Sequence, residues 1–342
     1  MAELKQLEKK LTVVEEIAPG ITLYDVPDAT SFMRSASRAR PVFVRHLAPV
    51  QAIIDLKNEE QDLGRIALAI TELPDLRMLE KCIRFAVQTR LVQTDKRYGE
   101  RAYSSGQANR LLAEALAEET GAIEMIKKPQ IVVSLLCTMH KGYLGISTVE
   151  DNLSSWPGGA RQFAQTPEQI SRAEFKLLEA LEIFGVILPS QGRVLDLGAA
   201  PGGWTRLLLE AGLEVVAVDP ARLDTRLDKR KHLEHYRGYA EDYLEEAISR
   251  RSRFDLIVND MRMDAREAAR LLARAAPCLR TDGFVLSVFK LPHATPVINP
   301  LATLKAAMDT LHRSYAIVQA NQLFHNRQEV TVVAAQPILT KK

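Results

Sequence analysis

The sequence predicts an α/β protein: a doubly wound, Rossmann-like sheet in its second half, preceded by a smaller α+β half. Three observations carry this. Strand-like apolar runs alternate with helical patterns from residue 193 onward. A loop of glycine, alanine and proline, GAAPGG at 198–203, joins the first of these runs to a leucine-rich helical pattern. A stretch rich in Ser, Pro, Gly and Gln, DNLSSWPGGARQFAQTPEQ at 151–169, separates two differently patterned halves and reads as a linker.

The strands are expected at RVLDLG (193–198), EVVAVD (214–219), HYRGYA (235–240), FDLIVND (254–260) and GFVLSVFK (283–290). The clearest intervening helix is DAREAARLLARAAPCLRTDG, with Gly283 as its stop. After a further helix, LATLKAAMDTLHRSY, the strands AIVQANQLF and EVTVVAAQP follow with only HNRQ between them. A hairpin there adds one antiparallel strand to an otherwise parallel sheet. Seven strands with one reversed is the architecture of S-adenosylmethionine-dependent methyltransferases. Before the first strand, TPEQISRAEFKLLEALEIFGV reads as a helix with two competing starts, Thr166–Pro167 or a capping box of Ser171 with Glu174.

Composition bounds the function classes. The chain has 342 residues, 46% hydrophobic and 26% charged, as expected of a globular protein with two or three cores. No apolar run approaches the roughly 20 residues of a membrane helix, and MAELKQLEKKL is a charged helical pattern rather than a signal peptide, so a cytoplasmic protein without a membrane partner is expected. Cys82, Cys137 and Cys278 are odd in number, far apart and set in apolar segments, which favours buried free thiols. The histidines show no metal spacing: His232 and His235 lie in the charged stretch KRKHLEHY, and no metal is expected. A net charge of +2 makes no case for nucleic acid, so such a partner rests on local clusters.

The loop between the first strand and its helix discriminates among ligands. It lacks the G-x-G-x-x-G spacing of a pyrophosphate cradle and the Lys and Ser/Thr of a P-loop. It offers Gly198, Gly202 and Gly203, with Pro201 stiffening the turn. Asp196 before the first glycine and Asp219 at the end of the second strand suit a ligand with an amino-acid moiety and a free ribose diol. Asp242, after the third strand, is placed to accept from an adenine amino group. Together they describe S-adenosylmethionine.

Ligands in open α/β sheets sit outside the carboxyl ends of the strands. There the fourth strand ends at Asp260, the fifth at Lys290, and the reversed last strand begins at Glu329. No Asn/Asp-Pro-Pro-aromatic run of an amino-directed enzyme follows the fourth strand, and Cys278 falls within a helical pattern, unlike the nucleophile of a C5-cytosine enzyme. A hydroxyl acceptor fits the charges: a lysine desolvated and tuned by carboxylates can hold or take its proton. Lys290 is the candidate base, and Lys176 lies beside the apolar stripe of the preceding helix.

SRAEFKL, DLGAAPGGW, NDM, VFKLP and NRQEV, in that order over 171–330, resemble the FtsJ-type RNA ribose 2′-O-methyltransferases. LGAAPGGWT, FKLP and QLFHNRQEVTV are similar in particular to members that act on a cytidine ribose of large-subunit ribosomal RNA. The resemblance implies a catalytic set at Lys176, Asp260, Lys290 and Glu329, with Lys290 activating the ribose hydroxyl, Asp260 and Glu329 tuning it, and Lys176 orienting the substrate. It also implies a cofactor site of Asp196, Gly198, Pro201, Gly202, Gly203, Trp204, Asp219, Asp242 and Asp260. After Asp260 the chain reads MRMDAREAAR, without the longer substrate loop of stand-alone members.

The first half is then expected to bind RNA. SSGQANRLLAEALAEETG, with Ser105 as a cap and Gly121 as a stop, precedes two strands in KKPQIVVSLLCTMHKGYLGIS, and this succession resembles a THUMP domain. The expected organisation is a ferredoxin-like element at 1–58, a THUMP-like RNA-binding domain at 59–150, the linker at 151–169 and a methyltransferase domain at 170–342. Arg34, Arg38, Arg40 and Arg45 form one basic cluster; Arg84, Arg90, Lys96, Arg97 and Arg101, with Phe85 and Tyr98 interleaved, form a second, suited to phosphates and unpaired bases. A third, Arg226 to Lys231, is expected to flank the crevice. Two rivals remain. A catalytically silent RNA binder need not keep the Lys-Asp-Lys-Glu set. An enzyme acting on a non-RNA hydroxyl would have no use for an RNA-binding first half.

Overall fold

The computed structural model describes residues 1–92, 100–295 and 298–338. The chain divides into two compact units, Met1–Arg161 and Gln162–Lys342. None of the described helices is long and apolar enough to cross a membrane.

The first unit opens with helix α1 (Ala2–Leu7), a hairpin of β1 (Thr12–Ala18) and β2 (Ile21–Asp25), and helix α2 (Ala29–Ala39). Leu4, Leu11, Phe32 and Met33 form their small core. A second assembly contains β3 (Ala52–Asp55), α3 (Asp62–Thr71), β4 (Arg84–Leu91), α4 (Ser105–Thr120), β5 (Ile123–Glu124), β6 (Ile131–Cys137) and β7 (Lys141–Thr148). Its sheet runs β3-β7-β6-β4-β5. Alternate residues of the central strands, among them Phe85, Val87, Val133 and Leu135, pack with Ile66, Ile70, Leu112 and Leu116 of α3 and α4.

Several expectations change here. The boundary at residue 58 falls just after β3, which is hydrogen-bonded to β7, and the residues ahead of β3 form a helix-flanked hairpin rather than a ferredoxin-like element. The linker is not free: Asn152 is fully buried, and the division between units falls after Arg161. The cap of α4 is Ser104, in a capping box with Gln107, one residue before the expected Ser105; Gly121 closes the helix at φ 71°. Cys82 is exposed, whereas Cys137 and Cys278 are buried. Phe85 is a core residue, and Arg101 donates to the carbonyls of Val92, Cys137 and Thr138, so neither faces a partner. Arg34 and Arg84 are exposed, while Lys96, Arg97 and Tyr98 lie outside the described residues.

The second unit contains α5 (Glu174–Ile183), β8 (Arg193–Leu197), α6 (Gly203–Glu210), β9 (Glu214–Val218), β10 (Leu233–Tyr236), α7 (Ala240–Ser249), β11 (Phe254–Asn259), α8 (Ala265–Ala275), β12 (Leu279–Lys290), α9 (Pro300–His312), β13 (Tyr315–Asn321) and β14 (Glu329–Pro337). The seven-stranded sheet runs β10-β9-β8-β11-β12-β14-β13, parallel through β12, with β14 antiparallel to both neighbours. Its central strands are buried on both faces, which explains their continuous apolar runs. Side-chain caps mark helix starts: Asp264 accepts from the N–H of Arg266 at α8, and Asn299 from that of Leu301 at α9, where Pro300 takes the first position.

Two predicted boundaries move. The third strand is Leu233–Tyr236 rather than 235–240, because the turn at 237–239 leads into α7. Helix α8 stops at Ala275 rather than at Gly283, since Pro277 follows, and Gly283 lies inside β12. A Cβ at Gly283 would come within 2.8 Å of the Asp255 carbonyl, so glycine there permits close strand approach beside a register shift.

Candidate active site

Register brings the site together. Asn259 of β11 pairs with Leu197 of β8 and Ser287 of β12, and Lys290 of β12 pairs with Glu329 of β14. Four strand ends therefore open onto one edge, where a cavity of about 730 Å³ is lined by residues of the β8–α6 loop, the β11–α8 loop, α5, β12 and β14.

Four charged side chains meet at its wall. Lys290 Nζ donates to Asp260 at 2.6 Å and lies 2.8 Å from Glu329. Lys176 Nζ, arriving from α5, donates to the two Asp260 oxygens at 3.3 and 3.4 Å and lies 2.7 Å from Glu329. Each side chain is 15 to 23% exposed, so the pairs are screened less than surface ion pairs. Burial disfavours the Lys290 ammonium, but Asp260 and Glu329 outweigh it and hold its pKa above the ordinary lysine value. Burial likewise pushes the Glu329 carboxyl up, and the two lysines reverse that, leaving it below the usual range. As it stands, Lys290 is an ammonium at neutral pH.

The glycine loop lines the same cavity. Gly198 (φ 73°) and Gly202 (φ 109°) occupy the left-handed region, and a Cβ on Gly198 would meet Met261 at 2.4 Å. The Ala200–Pro201 bond is cis, and Gly202 caps α6, whose first residue is Gly203. Asp196 is buried and accepts from Thr205 Oγ1 at 2.6 Å; desolvation, aided by Asp260 and Asp219, pushes its pKa up to about 7. A buried carboxyl in that state favours a cationic neighbour.

Not all expected cofactor residues converge. Trp204 lines the cavity but is buried, its indole N–H donating to the Ala173 carbonyl at 2.7 Å. The Asp219 carboxylate accepts from the N–H groups of Ala200 and Ala221 and is not part of the cavity wall. Asp242 is exposed in the first turn of α7, also away from that wall. Neither expected start caps α5: its N-cap is Ala173, and Glu174 accepts from the N–H of Ile170 while pairing with buried Arg206. In the third basic cluster, Arg226 is turned to Asp224 and Arg230 to Glu210.

The sequence reading missed Ser171, whose Oγ is buried without a hydrogen-bond partner at the cavity wall, and Arg262, Met263 and Asp264 of the β11–α8 loop. The strand-end rule contained the signal for the last three, since they directly follow the end of β11.

The comparison with protein families decides what this edge is. Residues 169–307 match the FtsJ-like methyltransferase model. This segment is similar to FtsJ-like methyltransferases. It holds the glycine loop, Lys176, Asp260 and Lys290; Glu329 lies beyond it. The chain is also similar to proteins named ribosomal RNA large subunit methyltransferase M. The one from Halorhodospira halophila is 34% identical over 185 residues, 52% of this chain and 51% of the relative. The one from Laribacter hongkongensis is 32% identical over 198 residues, 54% and 53% of the two chains. The chain thus spans about half the length of the curated relatives it matches. Among solved structures, TrmN from Thermus thermophilus covers 98% of this chain and is covered over 95% of its own, at 19% identity and a TM-score of 0.36. The mixed-charge cluster and the glycine loop line one cavity.

Proposed function

We propose that this chain is an S-adenosylmethionine-dependent RNA ribose 2′-O-methyltransferase acting on large-subunit ribosomal RNA. The observation that carries the reading is the contact of Lys176, Asp260, Lys290 and Glu329 at one cavity wall, in a unit similar to FtsJ-like methyltransferases. The similarity to ribosomal RNA large subunit methyltransferases supports the substrate class.

We assign the cofactor to the glycine-loop side. The donor set suits it: Asp196 offers a buried carboxyl biased toward a cation, Ser171 an unpartnered hydroxyl, and the Gly198–Gly203 turn a close backbone approach. Asp219 and Asp242 are assigned to its ribose and adenine. S-Adenosylmethionine supplies an electrophilic methyl on a sulfonium. Lys176 and Asp260 orient the ribose, and Glu329 with Asp260 sets the charge on Lys290. Lys290, once its resting proton has passed to solvent, would take the 2′-hydroxyl proton as that oxygen attacks, and a cationic ligand nearby would favour that free-base form. The bound cofactor would release its methyl with the C–S electron pair staying on sulfur, and in-line positioning by these residues would supply the remaining acceleration. The first unit is assigned to RNA presentation.

The test is mass spectrometry of ribose methylation in ribosomal RNA from cells lacking the gene, complemented with wild type or Lys290→Ala. One 2′-O-methyl nucleotide should vanish and return with wild type alone. Persistence of every ribosomal methyl group would overturn the assignment.

A further inference from the structure

Behind the cavity wall lies a second, buried polar contact that touches none of the reacting groups. Glu179 follows Lys176 by one turn on α5, and its side chain is 3% exposed. Its carboxylate accepts from the N–H of Phe324 at 2.7 Å, the N–H of His325 at 3.0 Å and the His325 imidazole Nδ1 at 2.7 Å. The imidazole packs beside the stacked rings of Phe163 and Phe175, at centroid distances of 5.6 and 5.2 Å. These donors belong to the loop between β13 and β14, the loop that delivers Glu329. Asn326, also buried, closes that loop by accepting from the N–H of Leu323 and the hydroxyl of Thr331 at 3.0 Å each.

Stability does not account for a carboxylate here. Ionised groups pay a desolvation cost in an apolar setting, and well-packed apolar residues commonly do as well or better. What the arrangement provides is geometry. Charge-assisted hydrogen bonds fix the loop to the helix. The same helix carries Lys176, the strand leaving the same loop carries Glu329, and those two meet at 2.7 Å.

We propose that Glu179 and His325 form a positioning clamp that sets Glu329 against Lys176 and Lys290, and so governs how readily Lys290 gives up its proton. Its catalytic consequence rests on the function proposed above; its effect on Lys290 does not. The charged groups facing Lys290 are Asp260 from the end of β11, Glu329 from β14 and Lys176 from α5; Asp196, Arg262 and Asp264 line the same cavity, Asp264 being turned to Arg266. Of these, the clamp moves Glu329 and Lys176. Releasing the loop withdraws a carboxylate, and an ammonium that loses a carboxylate neighbour titrates at lower pH.

The experiment uses the full chain carrying Glu179→Gln, which keeps the volume but turns an amide toward donors, and His325→Ala, which leaves the backbone donors in place. Lysine titration is followed by NMR in the ligand-free protein, with the Lys290 signal assigned through Lys290→Arg. Both variants should lower the Lys290 midpoint, by about one unit for Glu179→Gln. In RNA methyl transfer, the kcat plateau at high pH, where Lys290 is already the free base, should fall about tenfold to a hundredfold through lost positioning. KM for RNA and cofactor affinity should stay within about twofold, and the acid limb of the pH profile should move to lower pH. An unchanged Lys290 midpoint, with only a lower melting temperature, would overturn the clamp and leave Glu179 a packing residue. If Glu179→Gln does not fold, His325→Ala decides by the same criterion. If wild type transfers no methyl group to RNA, the functional proposal falls, while the Lys290 titration still decides the clamp.

Discussion

At the scale of the residue, Lys290 and Asp196, two of the wall-lining groups with displaced titrations, make opposite demands on pH. Lys290 is held charged by Asp260 and Glu329, whereas Asp196 is held toward its neutral form by burial. Removing Lys290 as alanine should cut methyl transfer by about a hundredfold to ten-thousandfold, the range of acid–base assistance, with cofactor affinity nearly intact by calorimetry. Full turnover would remove it from the reaction. For Asp196 the sign runs from its raised folded pKa: the group favours the folded state below the ordinary carboxylate range, and that contribution is lost as pH rises through about 7. A cationic ligand prefers the ionised form. Cofactor affinity should therefore rise between about pH 6 and pH 8, and Asp196→Asn should flatten the rise. These site residues were legible because charge at a strand end stands out in sequence. Ser171 was not, since an unpartnered hydroxyl at a cavity wall is a property of packing alone. Asp219 shows the reverse limit: position in a strand-loop pattern says which edge a side chain is near, not which groups it already satisfies.

At the scale of the element, what sequence shows is periodicity, and what it hides is contact across elements. β14 was legible to the residue, because its β-branched, buried run is uninterrupted and a charged residue opens it. The end of α8 was misplaced because Pro277 outranks a distant glycine, and Gly283 answers to the neighbouring strand rather than to the helix. In the first unit β3 escaped notice, being only four residues long and nowhere fully buried. Two changes test the local logic. Asp264→Ala removes the cap of α8 and should cost about 1 kcal/mol in denaturant unfolding. Gly198→Ala should cost about 1 to 3 kcal/mol through its left-handed φ and also weaken cofactor binding, since the new methyl meets Met261 at the cavity wall. Unchanged unfolding in either variant would mean that the local geometry carries no strain or cap of consequence.

At the scale of the whole molecule, the two-unit division makes a separable prediction. Residues 162–342 contain the seven-stranded sheet and the complete charge cluster. Produced alone, they should unfold cooperatively and bind the cofactor with near full-chain affinity. Residues 1–161 alone should bind structured ribosomal RNA with an affinity that falls steeply with salt, measured by mobility shift at several ionic strengths. Weak, salt-insensitive binding would point instead to a non-RNA hydroxyl as acceptor. The division itself was legible in composition, but its position was not: the residues that looked like a free linker bury Asn152 and belong largely to the first unit.

Because β14 runs against its neighbours, the last member of the charge cluster is also the last to be translated: Lys176, Asp260 and Lys290 all emerge before Glu329. A nascent or prematurely terminated chain that stops short of it carries the glycine loop and both lysines, yet leaves one of their two carboxylate partners missing and the apolar edge of β12 uncovered. A chain cut before Glu329 is therefore expected to be the more readily proteolysed at that uncovered edge.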